Sequence, residues 1–124
     1  MPAKKILVVD DSLIMRRLVT DTLKIGGYDV DVASDGEEAL KKLSAERFDL
    51  TIVDLIMPKM DGFQLMQAIK SDKVSQDNPI IIVIALTTEE DERYRKKAFE
   101  LGAEAYIVKP FRAQELLSKI KEFL

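Results

Sequence analysis

The chain has 124 residues, 47% hydrophobic and 33% charged, with a formal net charge of −3 and neither Cys nor His. That length suits one domain with a real core, and the two missing residue types exclude disulfides, thiolate or imidazole catalysis and Cys/His metal sites. The acidic balance argues against a nucleic-acid-binding surface.

The longest apolar run, Ile80 to Leu86, is far too short for the roughly 20 residues that span a membrane, and the N-terminus lacks the shape of a signal peptide. A cytoplasmic setting without membrane insertion is expected.

In chain order the pattern predicts five strand–helix units in a single domain over residues 1–124. The first strand is expected over Lys5–Val9. A helix follows from Ser12, a good N-cap type, with Ile14, Leu18, Thr22 and Ile25 on its inner face and Gly26-Gly27 ending it. The second strand, residues 28–33, alternates polar and apolar, which suggests an edge or half-wet position. Ser34-Asp35-Gly36 turns into a second helix that packs Ala39, Leu40 and Leu43 inward. The third strand, Phe48–Val53, leads through Met57-Pro58 and Asp61-Gly62 to a helix carrying Phe63, Leu65, Met66 and Ile69.

A polar stretch from Ser71 to Asn78 reads as a loop before the fourth strand, Ile80–Leu86. The fourth helix, Glu89 to Leu101, is acidic at its start and basic in its middle, as the helix dipole favours, and Gly102 ends it. The last strand is expected at Tyr106–Val108. The last helix, residues 112–124, sets Leu116, Leu117, Ile120 and Leu124 against the sheet.

Four of these apolar runs stop at a polar residue: Asp10-Asp11, Asp54, Thr87-Thr88 and Lys109-Pro110. Short β-branched strands separated by helices read as a parallel sheet, so their ends share one rim, and that carboxyl rim is where open α/β sheets bind ligands. Singly, each residue has an ordinary reading: Asp10 and Asp11 as helix caps, Asp54 as a turn residue, Thr87 as a cap, Lys109 as a solvated charge. Together the carboxylates would repel one another unless compensated by a cation. Oxygen-only ligands suit Mg2+, with the Lys109 ammonium beside it. Such a site suits phosphoryl transfer to Asp54, since aspartate can form an aspartyl-phosphate. Lys109 and the Thr87 hydroxyl would share the transferring oxygens with the metal. Aspartate is ordinarily ionised near neutral pH, so no general base is required.

Val9-Asp10-Asp11-Ser12, Asp54 with Met57-Pro58 and Asp61-Gly62, Thr87, and Lys109-Pro110-Phe111 together resemble the receiver domain of two-component response regulators, in order along the whole chain. The resemblance implies an α/β, flavodoxin-like (βα)5 fold with a doubly wound parallel sheet in strand order 2-1-3-4-5. It implies a signalling switch and not an enzyme with an external substrate. Asp54 would accept a phosphoryl group from a histidine kinase, and the chain would catalyse only that step and its own dephosphorylation. Asp11, Asp54 and the carbonyl of Ile56 would bind Mg2+ directly, Asp10 through water, and a cis Lys109-Pro110 bond would aim Lys109 into the pocket.

Ser12-Leu13-Ile14-Met15-Arg16-Arg17 and Tyr106 resemble the single-domain chemotaxis branch. By that resemblance Thr87 and Tyr106 would couple the site to an output surface on the fourth helix, fifth strand and fifth helix, where a protein partner docks. A monomer is expected, with dimerisation on phosphorylation left open.

Three other readings compete. An aspartate-nucleophile phosphohydrolase would carry its second acid two places after the first, whereas here Asp10 and Asp11 are adjacent. An FMN-binding flavodoxin would need a hydroxyl- and Gly-rich loop where this chain has Asp10-Asp11, whose charges would repel a phosphate ester. A receiver module belonging to a longer regulator with an output domain is the third; the final helix ending at Leu124 without a linker favours the free-standing form.

Overall fold

Strand β1 (Lys5–Val9) is buried from Ile6 to Val9 because it is hydrogen-bonded on both sides, to β2 (Asp29–Ala33) and to β3 (Leu50–Asp54), both parallel to it. The computed structural model describes residues 3–55, 61–71, 82–87 and 92–124. Beyond β3 the sheet continues through β4 (Ile82–Thr87) to β5 (Ala103–Val108), giving one five-stranded parallel sheet in the order β2-β1-β3-β4-β5. The helices are α1 (Leu13–Ile25), α2 (Gly36–Ala45), α3 (Gly62–Ser71), α4 (Glu92–Glu100) and α5 (Ala113–Phe123). The expected fold class and strand order are both present. Residues 57–60 of the loop expected from Met57 to Gly62 lie outside the described residues, as do 72–81 and the first residues of the fourth helix, 89–91.

Strand alternation divides the core in two. Ile6, Val8, Leu50 and Ile52 point to one face and pack with Val19 and Leu23 of α1 and Leu116 and Ile120 of α5. Leu7, Val9 and Val53 point to the other and pack with Ala39 and Leu43 of α2, Leu65, Met66 and Ile69 of α3, and Ala98 of α4. Helices on both faces explain why the central strands are mostly apolar on both sides.

Local sequence sets the helix ends. The Ser12 hydroxyl accepts from the Met15 amide, and Asp35 accepts from the Glu38 amide. Gly27 at φ 88° and Gly102 at φ 105° supply the left-handed residues that end α1 and α4. The alternating β2 is an edge strand, as its pattern suggested. Lys42 of α2 reaches over it to the Asp31 carboxylate (2.8 Å) and the Val32 carbonyl. Burial works to raise the Asp31 carboxyl, but the hydrogen bond from Lys42 and the Val32 amide outweigh it and hold the group below its ordinary range.

The structure corrects the orientation of α1. Of the four residues expected inside, only Thr22 is buried; Ile14 and Ile25 are 81% and 84% exposed, and Leu18 is half exposed. The inner face is instead Val19, Thr22 and Leu23, with Met15 partly buried. This helix is apolar on two sides, so spacing alone defines two equivalent stripes. Only the attachment to β1 selects one. The expected strand boundaries shift as well: β5 begins at Ala103, three residues before Tyr106, and Phe48 is buried in the core but precedes β3.

Two buried hydroxyls, those of Thr20 and Thr51, run against the general rule. Thr51 of β3 is fully buried and its Oγ1 has no hydrogen-bond partner among the described residues. An unpaired buried hydroxyl costs about 1–3 kcal/mol. Thr51→Val, which keeps the shape and removes the hydroxyl, should therefore raise stability by about 1 kcal/mol. Equilibrium denaturation checks this; a loss of stability would show that the hydroxyl is satisfied in solution.

Candidate phosphoacceptor site

Register places the candidate residues along one edge. Asp10 directly follows Val9, which is paired with Val53, and Asp54 is paired with Leu86. Thr87 is the last residue of β4 and is paired with Val108, the residue before Lys109. Asp10 and Asp54 thus leave adjacent strands at the point where strand order reverses, the switch point at which open α/β sheets bind ligands. The structure assembles Asp10, Asp11, Asp54 and Lys109, and sets Thr87 beside them in the strand register. The Ile56 carbonyl lies outside the described residues.

One carboxylate oxygen from each of Asp10, Asp11 and Asp54 lies within 4.8 Å of the others. Asp10 and Asp54 are buried, and Asp11 is exposed at the mouth. The Lys109 ammonium, with its side chain 10% exposed, stands 2.9 Å from Asp10 Oδ2 and 3.6 Å from Asp54 Oδ2. It is therefore a paired cation, largely withdrawn from solvent. The Lys109-Pro110 peptide bond is cis.

One ammonium against three carboxylates leaves the rim with an excess of negative charge. Hard oxygen donors converging with unbalanced charge fit a hard divalent cation such as Mg2+, which needs only one or two carboxylates and keeps several waters. Removing Asp11 should remove both the excess repulsion and a metal ligand. Asp11→Ala is expected to raise the metal-free Tm by a few degrees and to lose Mg2+ binding, as read by thermal melts with and without Mg2+. A variant still stabilised by Mg2+ as strongly as the wild type would move the metal site elsewhere.

The approach of α3 to this rim depends on one small residue. Asp61 and Gln64 cap the helix reciprocally, each side chain accepting from the other's backbone amide (2.9 and 3.0 Å). The Gly62 amide donates to the Leu55 carbonyl at 3.0 Å. A Cβ at Gly62 would stand 2.5 Å from the Asp54 carbonyl oxygen and 2.6 Å from Leu55 Cα, so only glycine lets the helix sit here. Asp61-Gly62 was legible in the sequence as the end of a loop leading to this helix; its role in supporting Asp54 was not.

Two further residues escaped sequence reasoning. Arg16 of α1 donates from Nη1 to the Asp10 carbonyl at 2.7 Å. Arg95 of α4 places its guanidinium 5.6 Å from the ring centres of both Tyr106 and Phe99. Tyr106 is only 8% exposed, inside the core shared with α4 and under that arginine. In the sequence Arg16 stood only as part of the Ser12–Arg17 resemblance, with no contact attached to it.

The response regulator receiver domain family matches residues 6–121. Over 124 residues the chain is 44% identical to a probable transcriptional regulator, ycf27, of Porphyridium aerugineum, covering 100% of this chain and 49% of that one. It is 39% identical over 121 residues to the alkaline phosphatase synthesis transcriptional regulatory protein PhoP of Bacillus subtilis (strain 168), covering 98% and 48%. The chain thus spans about half the length of the curated relatives it matches. Among solved structures it is similar to the chemotaxis protein CheY4 of Vibrio cholerae, with TM-score 0.91, 36% identity and coverage of 99% of this chain and 100% of that one. It is also similar to the response regulator TrrA of Thermotoga maritima in complex with Mg(2+)-BeF, with TM-score 0.84, 36% identity and coverage of 98% and 99%.

Proposed function

The chain belongs to the response regulator receiver domain family, and from that premise we propose that it is a phosphorylation-driven signalling switch whose phosphoacceptor is Asp54. The observation that carries this reading is the convergence of three aspartate oxygens within 4.8 Å beside the paired Lys109 ammonium. The donor is a histidine kinase's phosphohistidine. An Asp54 carboxylate oxygen forms the new O–P bond as the P–N bond breaks. Lys109 neutralises charge on the transferring oxygens, and the Thr87 hydroxyl contacts another of them. Asp11 and Asp54, with the Ile56 carbonyl, would hold the Mg2+, and Asp10 would act through water. When bound, the metal supplies charge neutralisation and orientation for the phosphoryl group. The cytoplasmic setting and the single-domain reading of residues 1–124 belong to the same proposal.

Acetyl phosphate, a small phosphodonor, tests the switch without knowledge of the kinase. Intact mass should show one phosphoryl adduct in the presence of Mg2+ and none with chelator. Its absence with Mg2+ would contradict the proposal.

The proposed output surface is α4, β5 and α5. Tyr106 exchanges between the inward arrangement seen here and an exposed one, and Thr87 biases that exchange by closing on the phosphoryl group. A few kcal/mol of differential affinity suffices to shift a two-state equilibrium of this kind. Partner binding and phosphorylation then reinforce each other. Adding beryllofluoride and Mg2+ should produce large backbone NMR shifts over residues 87–101 and around Tyr106, and small ones along α2. Shifts confined to the vicinity of Asp54 would refute the coupling.

Two outputs compete. The structural likeness to a chemotaxis protein favours a protein partner docking on this surface. The relatives named as transcriptional regulators are about twice as long, which favours a receiver that controls an attached output segment. In that case the acidic balance of this stretch says nothing about DNA contacts made elsewhere.

A further inference from the structure

Asp10 has every polar atom engaged. Its amide donates to the Ala33 carbonyl (3.1 Å), Oδ1 accepts from the Ser12 amide (2.9 Å), and Oδ2 accepts from Lys109 (2.9 Å). Its carbonyl oxygen accepts from Arg16 Nη1 at 2.7 Å, a charge-assisted bond. The Arg16 amide in turn donates to the Ser12 carbonyl at 2.9 Å. Asp10, Ser12 and Arg16 therefore form a closed ring of hydrogen bonds around the start of α1.

Asp11 is the opposite case. It is exposed, and its carboxylate has no hydrogen bond or ion pair among the described residues. The one constraint on its placement among the described residues is its backbone, through the peptide that joins it to Asp10. That is the peptide whose carbonyl Arg16 holds.

We propose that Arg16 is a positioning residue of the cation site: by fixing the plane of the Asp10–Asp11 peptide, it aims the Asp11 carboxylate at the oxygens of Asp10 and Asp54. The proposal rests on the receiver reading of the site. Partners that orient a metal ligand in this way typically govern affinity by about 10–100-fold when removed.

The sign of the effect separates positioning from charge. Arg16 is a cation bonded to the Asp10 carbonyl at the acidic rim, so a purely electrostatic bystander would weaken Mg2+ binding, and its removal would tighten it. Positioning predicts the reverse. Arg17, exposed on the same helix and with no bond to Asp10 among the described residues, is the charge-matched control.

The experiment is a Mg2+ titration of the full chain, followed by the backbone amide shifts of Asp11 and Asp54, for wild type, Arg16→Met, Arg16→Lys and Arg17→Met. Arg16→Met should weaken binding about tenfold. Arg16→Lys, which keeps the charge without the planar fork, should fall between it and wild type. Arg17→Met should bind as wild type or slightly tighter. Unchanged or tighter binding by Arg16→Met overturns the proposal, and so does wild-type affinity in Arg16→Lys, which remains informative if the Met variant fails to fold. A wild type whose Asp11 and Asp54 amides do not respond to Mg2+ overturns the receiver reading itself, and this inference with it.

Discussion

Asp54→Asn is expected to abolish phosphorylation while leaving the fold intact. Asn has the same shape as Asp, so the packing of this buried strand end is preserved. What is lost is the anionic oxygen that must attack phosphorus, together with the charge facing Lys109 at 3.6 Å. A neutral amide is no nucleophile for phosphoryl transfer, so the effect is complete and not graded. Relief of carboxylate repulsion should leave the metal-free protein at least as stable as the wild type. Intact mass after treatment with acetyl phosphate and Mg2+ checks the first expectation, and a thermal melt checks the second. A full adduct on Asp54→Asn would transfer the phosphoacceptor role to another residue.

Gly62→Ala is expected to be the most damaging conservative change in the described chain. The added methyl would meet backbone at 2.5 and 2.6 Å, and backbone cannot rotate away as a side-chain tip can. Either α3 must retreat and break the 3.0 Å Gly62-to-Leu55 bond, or the end of β3 must move. Overpacking of this kind costs about 3 kcal/mol, at the upper end of the usual range. Because the clash falls on Asp54 itself, the rate of phosphorylation should fall with stability. Gly27→Ala is the informative contrast. Gly27 has φ 88° and open space around it, so the cost is left-handed strain alone, about 1–2 kcal/mol, with phosphorylation unaffected. Denaturation and adduct kinetics on both variants check this. Equal effects on the phosphorylation rate would show that the close approach at Gly62 does not position Asp54.

Much of the fold was legible in the sequence because strand burial and chain direction constrain each other. Leu7, Val9 and Val53 alternate with Ile6, Val8 and Ile52, and a strand apolar on both faces must be central and parallel. Central parallel strands then bring Asp10, Asp54, Thr87 and Lys109 to one rim by topology, before any side-chain geometry is known. The alternation in β2 marked the edge for the same reason.

The errors arise where two local solutions are equivalent. On α1, Ile14 and Leu18 satisfy helical spacing as well as Met15 and Val19 do, and only the sheet chooses between them. Arg16, Gly62 and Arg95 carry their meaning through contacts with residues near in space, so composition and period hold little trace of them. Tyr106 was visible as a residue of interest, but its buried position under Arg95 was not.

The most direct test of the switch assignment is a crystal structure of the chain with Mg2+ and beryllofluoride. Beryllofluoride is expected on the Asp54 carboxylate, with Mg2+ held by Asp11 and Asp54 and with Lys109 and Thr87 in contact with the fluorides. Beryllofluoride on another residue, or Mg2+ bound away from Asp11 and Asp54, would contradict that assignment.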